Sequence, residues 1–349
     1  MKPEEREPPV PETGEADESD LHLQSPMVKR AAKGSDGFFE AATQEEFEEA
    51  ERLHRAIPRV RPRVTEDLDL EPPPRTRYPL SLRAALAELV HRWEIVLTFV
   101  ERDLRVRYKQ AALGAVWAVL QPLTLMVIFS VVFGRIAQVG SEGLPYPIFS
   151  YTALVPWSLF SSAVTTGTSS IITNAPIIRK IYMPREIFPA SSVLSSGVDF
   201  GVSTVILFGM LIAYGFSPQV EWIAYPLILL ILTMFSLAVT LVFSAVTVYF
   251  RDTRYGIPLL LQIALFATPV AYPLAKMIGP EGVLHGSLAD AYVYLNPLAP
   301  IMDGFRRILA HGEWPLWGPL GSAAAVSTVG LGLAYWWYKR IDRTFADVI

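Results

Sequence analysis

The chain has 349 residues, is 51% hydrophobic with a mean hydropathy of +0.32, and carries 18% charged residues, where an ordinary soluble domain carries about 25%. About two-thirds of those charges precede Ala111, so the rest of the chain is as poor in charge as a bilayer requires. A net charge of −4 offers no basic surface to nucleic acid, and the absence of cysteine removes disulfides, thiolate metal ligands and cysteine nucleophiles together.

Residues 1–78 read as a disordered cytoplasmic tail, rich in Pro and Glu and too sparse in apolar side chains to form a core. The stretch has no apolar h-region, so no signal peptide is expected. Within it, 43–57 has a helical pattern. Thr43 with Glu46 fits a capping box, Phe47, Ala50, Leu53 and Ile57 recur at helical spacing, and Glu48–Arg52 and Glu51–Arg55 are i,i+4 pairs. A solvated helix and a docking element for a partner are both compatible with it. Pro72, Pro73 and Pro74 form a stiff spacer behind it.

Residues 79–110 form a second unit. Leu82, Leu86, Leu89, Trp93, Val96, Val100 and Leu104 fall on one helical face, while Arg83, Glu88, Arg92, Glu101 and Arg105 fall largely elsewhere. Such a helix is too polar to span a bilayer. It is expected to lie in the membrane interface, apolar side down and anchored by Trp93, unless it packs on a protein partner.

Residues 111–349 form an all-α membrane domain. Six apolar segments, at 113–135, 146–173, 189–214, 222–250, 257–276 and 316–338, each approach the ~20 residues that a span needs. Lys and Arg flank these segments unequally. Arg102, Arg105, Arg107, Lys109, Arg179, Lys180, Arg185, Arg251, Arg254, Lys339, Arg340 and Arg343 fall on one side, and Arg135, Lys276, Arg306 and Arg307 on the other. The richer side is cytoplasmic, so both termini are expected inside. Residues 278–315 then lie outside. They are too apolar and too rich in Pro and Gly for a plain loop, and Tyr292, Tyr294, Leu295, Leu298, Ile301, Phe305, Ile308 and Leu309 suggest short helices re-entering the membrane at a channel mouth.

No lysine follows a glycine, so there is no phosphate-binding loop and no ATPase of that kind in this chain. The histidines lie outside the spans and no G-x-S-x-G motif occurs, so no catalytic residue and no metal site is expected. The buried acid within the spans is Asp199, which must face the bundle interior, a cavity or a partner. Ser195, Ser196 and Ser203 are near enough in sequence to satisfy it. The cytoplasmic loop 174–189 has Pro176, Pro184 and Pro189 bounding an amphipathic piece, with Ile177, Ile178, Ile181 and Tyr182 beside Arg179 and Lys180. A simple hairpin needs no such device. A short rigid helix of this kind suits a transporter that receives a push from a cytoplasmic motor, or a positive anchor for the loop.

Five motifs in register carry a resemblance that covers about 80–349. They are RDLRVRYKQAALGAVWAVLQP (102–122), NAPIIRKIYMPREIFPASSVLSSGVDF (174–200), YFRDTRYGIPLLLQIALFATPVAYP (249–273), LNPLAPIMDGFRRIL (295–309) and RTFADVI (343–349). Together they resemble the transmembrane permease subunit of type-2 ABC exporters of bacterial polysaccharides: O-antigen, capsule or teichoic acid. The resemblance implies a homodimer in the bacterial inner membrane and a separate ABC ATPase subunit that carries ATP and Mg. It also implies a channel along the dimer axis and a glycan on a polyprenyl pyrophosphate lipid as substrate.

It makes Ile178, Arg179, Lys180, Tyr182, Arg185 and Glu186 candidates for coupling to the ATPase. Sugars need aromatic faces and hydroxyl partners, and Trp117, Phe129, Trp157, Phe160, Phe266 and Tyr272 are the channel candidates. Arg105, Arg107 and Tyr108 are candidates for the lipid headgroup, since Arg pairs with pyrophosphate through its planar fork. Competing readings are a type-2 ABC permease for a small lipid or drug, and a transporter without a motor.

Overall fold

The computed structural model describes residues 93–109, 116–180, 183–278, 282–342 and 345. The expected tail and the first half of the amphipathic helix lie outside them, as do Ile181, Tyr182 and most of the C-terminal motif. The regular structure among the described residues is all helical, with no strand among them.

Helix α1 (Trp93–Tyr108) is followed by α2 (Val116–Phe129), which continues as a π-helical stretch, Ser130–Ile136. Next come α3 (Tyr146–Thr173), the single turn α4 (Ala175–Ile178) and α5 (Ile187–Ala213). A 3-10 turn, Val220–Ala224, leads into α6 (Tyr225–Tyr249), and α7 spans Thr253–Ala267. The outer segment holds α8 (Ala275–Ile278), α9 (Ser287–Leu295) and α10 (Leu298–Arg306) with a π-helical end, Arg307–His311. The last helix is α11 (Trp317–Asp342). Three helical segments are long and apolar enough to cross a membrane: Val116–Ile136, Ile187–Ala213 and Val220–Tyr249.

The packing is that of a membrane bundle turned outward. Large apolar side chains face out along the helices, among them Val127, Val205, Ile212, Leu230, Ile263 and Leu333. The interior holds hydroxyls: Ser150, Thr152, Ser195, Ser196, Ser236 and Thr240 are all buried. In hydrocarbon, apolar surface needs no burial, and small or hydroxyl side chains let helices approach closely. Helix α3 sits at the centre, against α5 on one side and α6 on the other. A Cβ on Gly167 of α3 would stand 2.1 Å from Thr240 Cγ2 of α6, so this crossing requires glycine.

Helix α1 departs from the expected picture. Val96, Phe99 and Val100 pack on Ile187 and Phe188 at the start of α5, and Phe99 meets Phe188 edge-on at 5.0 Å. Eight residues further along α1, Arg107 reaches Asp199 of α5. The two helices therefore run side by side in the same direction. Protein covers Val96, Phe99 and Val100 of the apolar face, while Trp93 and Leu97 stay exposed.

In the fifth apolar segment, 257–276, Pro258, Pro269 and Pro273 predict a backbone broken near both ends; helix runs through Pro258 and ends at Ala267. The cause is local: Pro269 disfavours helical backbone at Thr268, which is extended at φ −101 and ψ 144. The carbonyls freed there are satisfied by side chains. Tyr272 donates to the Phe266 carbonyl at 2.8 Å, Tyr292 to Ala267 at 2.8 Å, and the Arg306 Nη2 to Pro269 and Val270 at 3.0 Å each. Tyr146 donates to the Ala271 carbonyl. Irregular backbone at membrane depth is tolerated where such cover exists.

Candidate functional site

Between α2, α3, α5 and α7 lies an open cleft of about 980 Å³. From α3 it is lined by Trp157 and by Ser158, Ser161, Ser162, Thr165 and Thr166, a hydroxyl stripe at helical i, i+3, i+4, i+7 and i+8 positions. Helix α2 adds Trp117, Gln121 and Thr124, and α7 adds Pro258, Leu261 and Gln262. Several hydroxyls donate to their own helix: Ser158 to the Val155 carbonyl at 2.7 Å and Thr166 to the Ser162 carbonyl at 2.7 Å. Their oxygen lone pairs stay free to accept. The wall mixes indole, leucine and proline surface with side-chain amides and hydroxyl acceptors, a combination that suits a polyol with apolar ring faces.

Arg107, Tyr108 and Asp199 also line the cleft. Arg107 forms an ion pair with Asp199 Oδ2, and the Tyr108 hydroxyl donates to Asp199 Oδ1 at 2.6 Å. This corrects the expectation that serines of its own helix would satisfy Asp199. Ser195 and Ser196 bond back to the Ser192 carbonyl, and Ser203 reaches the Ala118 carbonyl. Arg105 points elsewhere and pairs with Glu101 at the surface.

Of the expected aromatic wall, Trp117 is exposed in the cleft, and Trp157 borders it while only 5% exposed and packed in the core 5.6 Å from Phe160. Phe129 and Phe160 are core residues instead, 3% and 4% exposed, and Phe160 stacks on Phe235 at 5.6 Å. Phe266 is exposed beside Phe129 at 6.3 Å, away from the cleft lining. The hydroxyl of Tyr272 is engaged with the Phe266 carbonyl.

The cytoplasmic loop divides its residues between two tasks. Arg179 and Lys180 are exposed, and Ile178 packs beneath them against the α1 and α5 cluster. Arg185 and Glu186 turn inward. Glu186 meets Lys339 of α11 at 2.5 Å with both side chains 3% exposed. Arg185 meets Asp342 at 3.0 Å and lies 5.8 Å from the Phe345 ring. These two ion pairs tie the loop to the last turn of α11. Sequence reading missed Lys339, Asp342 and the hydroxyl stripe. The spacing of hydroxyls over 158–166 was a usable signal for the stripe, whereas the ion pairs bridge more than 150 positions and leave none.

On the opposite face, Arg306 is fully buried and stacks on Phe149 at 3.8 Å. Nearby, His311 lies 3.3 Å from Glu142. A hydrogen bond from His311 holds the Glu142 carboxyl below its usual range. No group of side chains suited to a metal ion occurs among the described residues.

The family model for ABC-2 type transporters matches residues 94–310, more than half of the chain. The chain belongs to the ABC-2 type transporter family. As an ABC-2 chain it is 30% identical over 256 residues to the O-antigen export system permease protein RfbA of Myxococcus xanthus, covering 73% of this chain and 95% of that protein. It is 30% identical over 221 residues to a protein of the same name from Klebsiella pneumoniae, covering 63% and 82%. It is 22% identical over 212 residues to the polysialic acid transport protein KpsM of Escherichia coli, covering 60% and 79%. The cleft, α1 and the outer helices of this ABC-2 chain fall inside the matched region, and the α11 partners of the cytoplasmic loop fall outside it.

Proposed function

We propose that this chain is the permease subunit of an ATP-driven exporter that moves a lipid-linked polysaccharide, of the O-antigen kind, across the bacterial inner membrane. The chain itself does no covalent chemistry; a separate ABC ATPase subunit, with ATP and Mg, supplies the work. In this reading α2, α3, α5, α6, α7 and α11 are the six spans, both termini are cytoplasmic, and α8 to α10 close the outer end. The division into a tail at 1–78, an amphipathic unit at 79–110 and a permease domain at 111–349 is part of the same proposal. Two copies place their clefts around one channel. Exposed Arg179 and Lys180, braced by Ile178, form the face toward the ATPase.

The observation that carries this reading is the hydroxyl-lined cleft. A polymer cannot be enclosed whole, so it needs polar partners along its path, and the stripe from Ser158 to Thr166 supports a polar stretch of about 12 Å beside Trp117 and Trp157. The family membership and the printed names of the relatives support the choice of substrate.

The natural absence of cysteine makes the test direct. Single cysteines at Ser161, Gln121 or Gln262, treated with a bulky maleimide, should block export of surface polysaccharide, while labels at the outward-facing Val205 and Leu333 should not. Block at the outward positions, or free export with all three cleft positions labelled, refutes the track. Reporter fusions after Gly140 and Gly215 should both read periplasmic; a cytoplasmic reading at either overturns the six-span topology.

A further inference from the structure

We propose that Lys339 and Asp342, in the last turn of α11, are positioning residues for the cytoplasmic loop. They lock it to α11 in one register, so that a push received at Arg179 and Lys180 moves α5 and α11 together. That role deepens the proposed function and rests on it for the source of the push.

Three observations carry this. First, the joint lies where the loop needs a fixed point. Between the end of α4 at Ile178 and the start of α5 at Ile187 the described backbone is not helical, and exposed Arg179 and Lys180 lie in that stretch. A force applied there is lost in bending unless the chain is held ahead of α5. Arg185 and Glu186 hold it. The Arg185 Nη1 donates to both the carbonyl and the carboxylate of Asp342, so it caps the C-terminus of α11 as well as pairing with it.

Second, the charges admit one register. The loop presents a cation then an anion at consecutive positions, and α11 presents a cation then an anion about one turn apart on one face. Sliding α11 by a turn would set Arg185 against Lys339 or Glu186 against Asp342. The surroundings are dry: Glu186 and Lys339 are 3% exposed, and the buried Phe345 ring lies 5.8 Å from Arg185 and 5.7 Å from Tyr338. Like charges repel strongly there, so the joint carries a displacement where an apolar contact would slip.

Third, both helices gripped at this joint lead to the cleft. Helix α5 packs on one side of α3. Helix α11 packs along α6, which crosses α3 on its other side with no slack at Gly167. The hydroxyl stripe is on α3. A loop attached to α5 alone would reach the stripe from one side only, whereas the joint adds a second packed route.

The test is polysaccharide exported per ATP hydrolysed, in proteoliposomes that hold the full-length chain and the ABC ATPase subunit that co-purifies with it. Asp342→Lys sets a cation against Arg185 and should lower this ratio at least about fivefold, the low end of coupling between distant sites, while ATP hydrolysis continues. Adding Arg185→Asp restores opposite charges and should recover most of the ratio. The chain has no native cysteine, so Arg185→Cys with Asp342→Cys makes the joint switchable within one protein. The ratio should be low with free thiols, rise when a bis-maleimide with a reducible spacer bridges them, and fall again on reduction. An unchanged ratio in Asp342→Lys, a loss that the swap does not repair, or a ratio indifferent to the bridge and its cleavage overturns the proposal. A nitroxide at Arg179→Cys reads the joint in the chain alone: Asp342→Lys should raise its mobility and Arg185→Asp lower it again. Unchanged mobility refutes the joint whatever the complex exports. A wild-type complex that exports nothing refutes the transport reading and leaves the mobility result standing.

Discussion

Arg306→Ala removes the side chain that supports the broken backbone after α7. Arg306 is fully buried and donates to three carbonyls, those of Pro269 and Val270 at 3.0 Å and of Phe149 at 3.3 Å. Each hydrogen bond from a charged donor contributes about 1.5–3 kcal/mol, and carbonyls left buried without a donor carry a further penalty. Stacking on Phe149 at 3.8 Å adds about 2 kcal/mol in a desolvated setting. Against this stands relief of the cost of burying the charge, so the net loss is about 3–5 kcal/mol. For a chain of this size that lowers Tm by roughly 10 °C. The assay is thermal unfolding of the detergent-solubilised chain, followed by intrinsic tryptophan fluorescence. Arg306→Lys, a point charge that reaches one carbonyl at a time, should lose about half as much. An Arg306→Ala protein with wild-type Tm would show that the carbonyls of Pro269 and Val270 do not depend on this side chain.

Charge reversal at Arg179 and Lys180 should leave membrane insertion intact and lower export at least about tenfold by weakening the ATPase contact; unchanged export removes these residues from the docking face. Glu186→Gln should destabilise the chain by about 3–5 kcal/mol, because Lys339 is 3% exposed beside it, and Glu186→Lys with Lys339→Glu should recover part of the loss. No recovery in the swap, measured as Tm, argues against a pairwise bond. Gly167→Ala should lower Tm by forcing α3 and α6 apart, and Thr240→Ala should restore it, since the added Cβ meets Thr240 Cγ2; an unperturbed Gly167→Ala chain contradicts that crossing.

Composition alone made the helical membrane class legible, because apolar runs and charge exclusion are one-dimensional properties. The segment 146–173 was read with the bounds that α3 has. In the fifth segment hydropathy continues through Pro269 to Leu274 after the helix has stopped, and the prolines, not the hydropathy, carry the signal for the break. Hydropathy registers transfer to lipid, whereas the helix ends for a steric reason. Asp199 was recognised as needing a partner, but the nearest hydroxyls in sequence lie on its own helix and bond back to it, whereas Arg107 stands 92 positions away. The resemblance makes Arg185 and Glu186 candidates for coupling, and only the approach of α11 shows that they face inward. Trp117 and Trp157 were placed on the cleft through their aromatic character, while Phe129 and Phe160 share that character and fill the core, since periodicity within an all-apolar helix does not say which face meets the cavity.

The central claim is that the cleft conducts a glycan under the drive of a partner ATPase. The measurement that tests it most directly is transport in proteoliposomes. The full-length chain is reconstituted with the ABC ATPase subunit that co-purifies with it, and ATP-dependent appearance of a labelled polyprenyl-pyrophosphate-linked polysaccharide in the opposite compartment is recorded. The account predicts transport with the wild type, none without ATP, and a loss of at least about tenfold when Ser158, Ser161 and Thr165 are replaced together by Leu, since a sugar then loses three of the five hydroxyls of the stripe and meets bulkier side chains in their place. Undiminished transport by that triple variant, with the wild type active beside it, would contradict the path. No ATP-dependent transport by a correctly assembled wild-type complex would contradict the function itself.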